Sequence, residues 1–139
     1  MKRNLKILAL AMLLAIPLAT SCNKDSDSYF VRYEASVEFE DEWNEWYASP
    51  DQMNMRLYYI TTSGGQEEDY YDGNNFSLVV GPFKKGETVA IKVKGGSYNV
   101  MKSVTAAIYA SKNGSEYTLQ TKNGGDGCDS AECAIDLDY

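Results

Sequence analysis

The sequence contains no histidine, only three prolines and only three cysteines among its 139 residues. Without histidine, Ser-His-Asp and Cys-His catalysis are excluded, and the commonest zinc ligand is missing. Positive charge is also scarce, because 13 Lys and Arg stand against 20 Asp and Glu, which gives a net charge of −7. A sequence-independent nucleic-acid binder needs clustered basic residues, so this class is excluded as well. The length indicates a single domain.

Residues 1–21 have the pattern of an export signal. Basic residues precede an apolar run over 7–18, which is too short to cross a bilayer, since crossing needs about 20 apolar residues. The small residues of 19–21 then lead into Cys22, and this arrangement resembles a bacterial lipobox. The resemblance implies that cleavage leaves a lipidated Cys22, which would attach the chain to a membrane. An ordinary secretory signal with an incidental cysteine is the alternative.

Residues 22–28 read as a short polar tether, with Lys24 and two aspartates directly after the cysteine. This arrangement resembles the export signal of Bacteroidetes surface lipoproteins. It therefore implies an outer-membrane lipoprotein exposed at the cell surface, and a tether that faces the periplasm is the alternative. Loss of residues 1–21 would remove three positive charges and leave a net charge of −10.

Apolar and polar side chains alternate through most of the remaining chain, which is typical of half-buried strands. The alternation predicts strands over 29–39, 53–59, 76–80, 88–94, 100–110, 117–121 and 133–139. Asn113-Gly114 suits a type I′ turn, because both residues tolerate positive φ. No segment has a helical period. Residues 29–139 are therefore predicted to form one antiparallel, immunoglobulin-like β-sandwich of about seven strands.

A fixed order of core and turn residues runs through 29–122. It consists of Tyr33, Tyr58-Tyr59-Ile60 before Gly64-Gly65, Gly81-Pro82-Phe83 before Lys85-Gly86, and Ala107-Ile108 before Asn113-Gly114. This order resembles a group of small Bacteroidetes lipoproteins, and it is similar to the extracytoplasmic domain of MmpS-type transport accessory proteins, which are β-sandwiches. The resemblance implies fold and location, and it transfers no catalytic residue.

Two cysteines remain once Cys22 is assigned to lipid. Cys128 and Cys133 are predicted to form a disulfide, because exported proteins meet an oxidising compartment. Between them, Ser130 lies in an Asp-Ser-Ala sequence that resembles the O-glycosylation pattern of Bacteroidetes exported proteins. Ser130 is therefore a predicted glycosylation site.

Aromatic residues supply the candidate ligand contacts. Trp43 and Trp46 are three residues apart, so a helical turn would place both indoles on one face, beside Tyr47. Tyr70 and Tyr71 occur in what reads as a long polar loop, a kind of segment that is often functional. These five residues are predicted to form a rigid aromatic platform for a partner. The alternative is that the indoles cap one end of the sandwich.

Together these features predict a non-catalytic binding protein whose ligand is a glycan or a host protein, with no cofactor and no metal. Asp126, Asp129 and Glu132 depart from the spacing of a calcium-binding loop and read as a solvated acidic turn. One alternative is an accessory or inhibitor subunit that docks on an envelope partner such as a transporter or peptidase. A second is a small hydrolase that uses paired carboxylates such as Glu67 and Asp69.

Overall fold

Eight antiparallel strands and no helix make up the described part of the chain. The computed structural model describes residues 26–40, 54–95 and 101–139. The strands are β1 (Ser28–Phe39), β2 (Met55–Ile60), β3 (Gln66–Tyr71), β4 (Asn75–Lys84), β5 (Thr88–Gly95), β6 (Met101–Lys112), β7 (Thr118–Asp126) and β8 (Ser130–Asp136). The predicted all-β sandwich is confirmed, with eight strands where about seven were expected. The export signal and most of the tether lie outside the described residues.

The strands form two sheets of four, with the orders β4-β1-β6-β7 and β3-β2-β5-β8. The second order has the strand positions of the C′CFG sheet of immunoglobulin domains, with β2 and β5 at its centre, but β6 and β7 separate β5 from β8 in the chain, whereas strands F and G are consecutive. In the first sheet, β1 and β4 correspond to strands B and E, and the β6-β7 hairpin takes the place of strand A. The fold is thus immunoglobulin-like in its central pairing and different at one side of the first sheet.

Buried apolar side chains alternate with partly exposed ones along the strands, which explains why the two sheets pack face to face. Along β1, Tyr29, Val31 and Tyr33 point inward and are fully buried, while the residues between them are only partly covered. The β5 strand repeats this pattern with Val89, Ile91 and Val93, all of which are fully buried. Because both faces meet in one cluster of buried side chains, the sandwich has a single core.

On one side of the sandwich, one strand was not predicted from the sequence and its neighbour was predicted to end too early. Residues 66–71 form strand β3 and not the predicted polar loop, and β3 pairs with β2 along its whole length. Strand β4 continues beyond its predicted end at Gly81-Pro82 to Lys84, with a register shift against β1 at this point. An edge strand tolerates proline because it needs no N–H on its outer side.

The beginning of β1 is fixed to the turn between β6 and β7. The Ser28 N–H donates to Asn113 Oδ1 over 2.9 Å, and the Asn113 N–H donates to the Ser28 carbonyl over 2.7 Å. Asn113 and Gly114 both have positive φ, 53° and 78°, as the predicted type I′ turn requires. This end of the sandwich is opposite the end where β1 finishes at Phe39.

Candidate functional site

The predicted aromatic platform is only partly described by the structure. Trp43, Trp46 and Tyr47 lie outside the described residues, as does the predicted lipidation site Cys22. Their roles remain predictions.

Tyr70 and Tyr71 do not share a surface, which corrects the expectation that both contact a ligand. They are neighbours in strand β3, so their side chains point to opposite faces of the sheet. The Tyr71 ring is half-buried and packs edge-on against Phe76 at 5.5 Å between centroids. Tyr70 is 53% exposed and is the one member of the pair on the outer face.

Tyr70 belongs to a polar cluster on the outer face of β2 and β3. Its hydroxyl donates to Glu68 Oε1 over 3.0 Å, and Arg56 Nε donates to the same oxygen over 2.5 Å. The Arg56 guanidinium lies 5.3 Å from the ring centroids of both Tyr58 and Tyr70. Two hydrogen bonds lower the pKa of Glu68, and the one from Arg56 has a larger effect than the one from Tyr70. The cluster is internally paired, and its guanidinium is already committed to Glu68 and the two rings.

Cys128 and Cys133 are free thiols, so the predicted disulfide is not formed. Cys133 is buried within β8, where its thiol donates to the Ala106 carbonyl over 3.2 Å. Cys128 lies before β8 begins at Ser130, and an extended strand carries the chain about 10 Å from Ser130 to Cys133. Disulfides need Cα atoms roughly 4.4–6.8 Å apart, so residues 128–130 would have to fold back along β8 for the bond to form. Burial raises the pKa of the Cys133 thiol, which further lowers its reactivity.

Ser130, the predicted glycosylation site, is exposed at the first position of β8. It pairs with Lys94 of β5. Exposure meets the steric requirement for an attached sugar, and the modification itself remains a prediction.

A groove of about 350 Å³ lies on the outer face of the β4-β1-β6-β7 sheet. Its lining residues are Glu34, Ala35, Ser36, Asn75, Phe76, Ser77, Thr105, Ala107, Tyr109 and Lys122. Register explains the hollow, because Glu34 pairs with Ser77 on one side and with Ala107 on the other. In the next row, Ser36 lies between Asn75 and Thr105. Short side chains on three adjacent strands therefore form the floor, and longer ones form the rim.

The polar groups of the groove are held in place by one another. Ser36 Oγ and Thr105 Oγ1 are hydrogen-bonded at 2.5 Å. Glu34 Oε1 lies 2.8 Å from Arg32 Nε, which gives an ion pair although the angle does not suit a hydrogen bond. The Arg32 guanidinium in turn lies 4.5 Å from the centroid of the Tyr109 ring, which fixes the aromatic part of the rim.

Two groups at the groove retain unused hydrogen-bonding capacity. Lys122 is exposed on β7, opposite Ala107, and takes part in none of the ion pairs of the described residues. Asn75 is exposed at the first position of β4 and carries a two-donor, two-acceptor amide. The groove is therefore surrounded by a cation from Lys122, an amide from Asn75 and an anion from Glu34.

The sequence analysis did not predict this groove. The available signal was a series of small residues at outward positions of predicted strands, namely Ser36, Ser77 and Ala107. Each is unremarkable alone, because only the register between strands shows that they lie side by side.

Glu67 and Asp69, the carboxylates considered for catalysis, lie elsewhere. They occupy alternate positions on edge strand β3 and are both exposed, and neither lines the groove. Within 26–40, 54–95 and 101–139, no group of three or more side chains is arranged to hold a metal ion. The same ranges contain no helix of the length and apolarity that a membrane span needs.

Comparison of the chain with models of known protein families and with curated proteins gave no match.

Proposed function

We propose that this protein is a lipid-anchored, extracytoplasmic binding protein that holds a carbohydrate in the groove of the β4-β1-β6-β7 sheet. The observation that carries this proposal is the groove itself, a hollow of about 350 Å³ bounded by an oriented tyrosine and by polar side chains. Its volume is at the lower end of the range for ligand sites, which is roughly 300–1,000 Å³. The ligand portion held is therefore a small molecule or a short part of a longer chain.

The chemistry of the lining favours a polyhydroxylated ligand over an apolar one. Ligand pockets are in general lined mostly by hydrophobic side chains, whereas this groove presents hydroxyl, amide, carboxylate and ammonium groups beside its apolar residues Ala35, Phe76 and Ala107. Sugar hydroxyls both donate and accept, so they can pair with Glu34, Asn75 and Lys122 together. Tyr109 adds an aromatic ring beside these groups, and the face that Arg32 does not cover can pack against the C–H face of a sugar ring.

Binding without hydrolysis is the activity that fits the lining. Glycoside hydrolysis generally uses two carboxyl groups that flank the scissile bond. Glu34 supplies the one carboxylate among the lining residues, and Arg32 is paired with it at 2.8 Å. A fixed, paired carboxylate is suited to accepting hydrogen bonds from hydroxyl groups.

The proposed location depends on the amino-terminal sequence. The lipobox-like residues before Cys22 and the acidic tether after it support an anchor in the outer membrane and display at the cell surface. Palmitate labelling of the producing cells, with Cys22→Ala as the variant, tests the anchor. Protease treatment of intact cells then tests surface display, and protection from protease would favour the periplasmic alternative.

A glycan array probed with the full-length protein in detergent tests the proposed ligand class. Tyr109→Ala and Asn75→Ala should each weaken binding to the retained glycans by about tenfold, which corresponds to the loss of one stacked ring or one amide contact. Lys94→Ala is the matched control, because Lys94 is exposed on the opposite sheet and touches no part of the groove. The proposal fails if no glycan is retained, or if the groove variants bind as the control does.

A further inference from the structure

Strand β4 is an edge strand whose backbone is partly unpaired. The Val37 N–H donates to the Asn74 carbonyl over 2.9 Å, and the register stays constant from this pair to Val31 and Val80. Antiparallel pairs alternate between those that exchange hydrogen bonds and those that do not. The N–H and carbonyl groups of Asn75, Ser77 and Val79 therefore point away from β1. In the described structure, no strand pairs with β4 on that side.

This part of β4 lacks the usual protection of a sheet edge. Exposed edges are normally blocked by charged residues, prolines or bulges, because free backbone groups invite pairing with another chain. From Asn75 to Val80 there is no charge and no proline, and Val79 is 50% exposed. The edge strand β3, by contrast, carries Glu67, Glu68 and Asp69.

The acidic strand β3 lies beneath β4 on the same side of the sandwich, since Tyr71 of β3 and Phe76 of β4 are in contact. Glu67 and Asp69 alternate with Tyr71, so they point toward the β4 layer. The pKa of Tyr59 is raised mainly by burial and then by the negative charges of Asp69 and Glu67. The effect of these charges on Tyr59, an inner residue, is consistent with inward-pointing carboxylates. Both carboxylates are exposed, and neither forms an ion pair within the described ranges.

We infer that the β4 edge accepts an extended, positively charged segment of a partner protein as an additional strand. The backbone of the segment would pair with Asn75, Ser77 and Val79, which is recognition by strand addition. Packed sheets are about 10 Å apart, so Lys or Arg side chains on the inner face of the segment can approach Glu67 and Asp69. The net charge of −10 expected after signal cleavage would also speed the approach of a basic partner.

A second copy of this chain fits the edge less well. Pairing of β4 with its counterpart would place the two acidic β3 strands next to each other, and like charges at adjacent edges repel. The inferred surface adjoins the groove, because the side chains of Asn75 and Ser77 line the groove, but it uses their backbone groups together with the carboxylates of β3. Loss of carbohydrate binding in the groove variants therefore has no bearing on it.

The test uses the full-length protein and two synthetic hexapeptides, one alternating lysine and valine and the other alternating glutamate and valine. NMR amide exchange should show that the N–H groups of Ser77 and Val79 exchange fast in the free protein. The lysine peptide should slow their exchange while that of Leu78 stays unchanged. The glutamate peptide should have no effect.

Two pairs of variants separate the backbone contribution from that of charge. Ser77→Pro removes a free N–H and should abolish peptide binding, whereas Ser77→Ala should retain it. If the proline variant does not fold, Glu67→Gln/Asp69→Asn remains informative and should weaken binding of the lysine peptide by about tenfold at low salt. Glu116→Gln/Asp138→Asn is its control, since it removes equal charge from exposed positions elsewhere.

The inference is overturned if the lysine peptide leaves Ser77 and Val79 unprotected, or if both peptides bind equally well. It is also overturned if the two amides are already protected in the free protein. Protection that falls on dilution would assign the edge to self-association.

Discussion

Gly124 is the position where a single methyl group should damage the fold most specifically. It lies in β7 with a φ of +91°, a region that L-residues rarely adopt. A Cβ at this position would lie 2.1 Å from the Val104 carbonyl oxygen and 2.8 Å from the Ala131 Cβ. Gly124 thus allows β7 to approach β6 and, across the sandwich, β8. It also pairs with Thr105, which lines the groove.

The cost of Gly124→Ala has two components. Holding a non-glycine residue at this φ costs about 1–3 kcal/mol, and forcing a methyl group against backbone costs about another 1–3 kcal/mol. The expected loss is therefore about 4 kcal/mol from a total stability that is usually about 5–15 kcal/mol for a domain. In a domain of this size, each kcal/mol corresponds to roughly 4 °C in the melting temperature.

Gly125→Ala is the matched comparison, because it introduces backbone strain at a positive φ without the steric overlap that a methyl group meets at Gly124. Gly125 has a φ of +142°, yet a Cβ there would meet no atom within 4 Å. Urea unfolding followed by circular dichroism should place Gly124→Ala about 2 kcal/mol below Gly125→Ala in unfolding free energy. Equal stability of the two variants would refute the described approach of β7 to its neighbours.

Three further predictions concern single side chains. Thiol titration of the native protein should modify Cys128 readily and Cys133 only after unfolding, and a native disulfide found by mass spectrometry would contradict this. Tyr33→Phe should cost about 1 kcal/mol in urea unfolding, because the buried hydroxyl donates to a backbone carbonyl over 2.9 Å; an unchanged midpoint would argue against that bond. Hydrogen bonds from Asn113 and then Lys112 lower the pKa of Asp27, so its stabilising effect is present at neutral pH and is lost as the pH falls below about 4. Asp27→Asn should accordingly be less stable than the wild type at pH 7, and the difference should shrink in acid.

The sequence predicts the central strands far better than the edge strands. In β1 and β5 the inner side chains are apolar, so alternation is visible without knowledge of the fold. The inner positions of β3 include Glu67 and Asp69, which lie at the margin of the sandwich and need no apolar side chain. The same effect explains Leu119, which occupies an inward position in the predicted alternation but is 51% exposed on edge strand β7.

The candidate site was less accessible to sequence reasoning, because it depends on cross-strand register. Ser36, Ser77 and Ala107 are distant in sequence and adjacent only after β1 has paired with β4 and β6. The cysteines illustrate the same limit. Their spacing allows a disulfide, whereas in the folded structure both thiols are free and Cys133 is buried within β8.

The two hydrogen bonds between Ser28 and Asn113 also affect how the domain would respond to force. If the chain is anchored through its amino terminus as proposed, a pull would enter at Ser28, and a ligand in the proposed groove would resist it at Glu34 and Ser36, further along the same strand. Strand β1 is hydrogen-bonded to β4 on one side and to β6 on the other, and the load runs parallel to it. Both ladders must then shear together, whereas a load across the strands would open them one bond at a time. If the protein is tethered as proposed, this arrangement would slow the forced unfolding of the domain under flow.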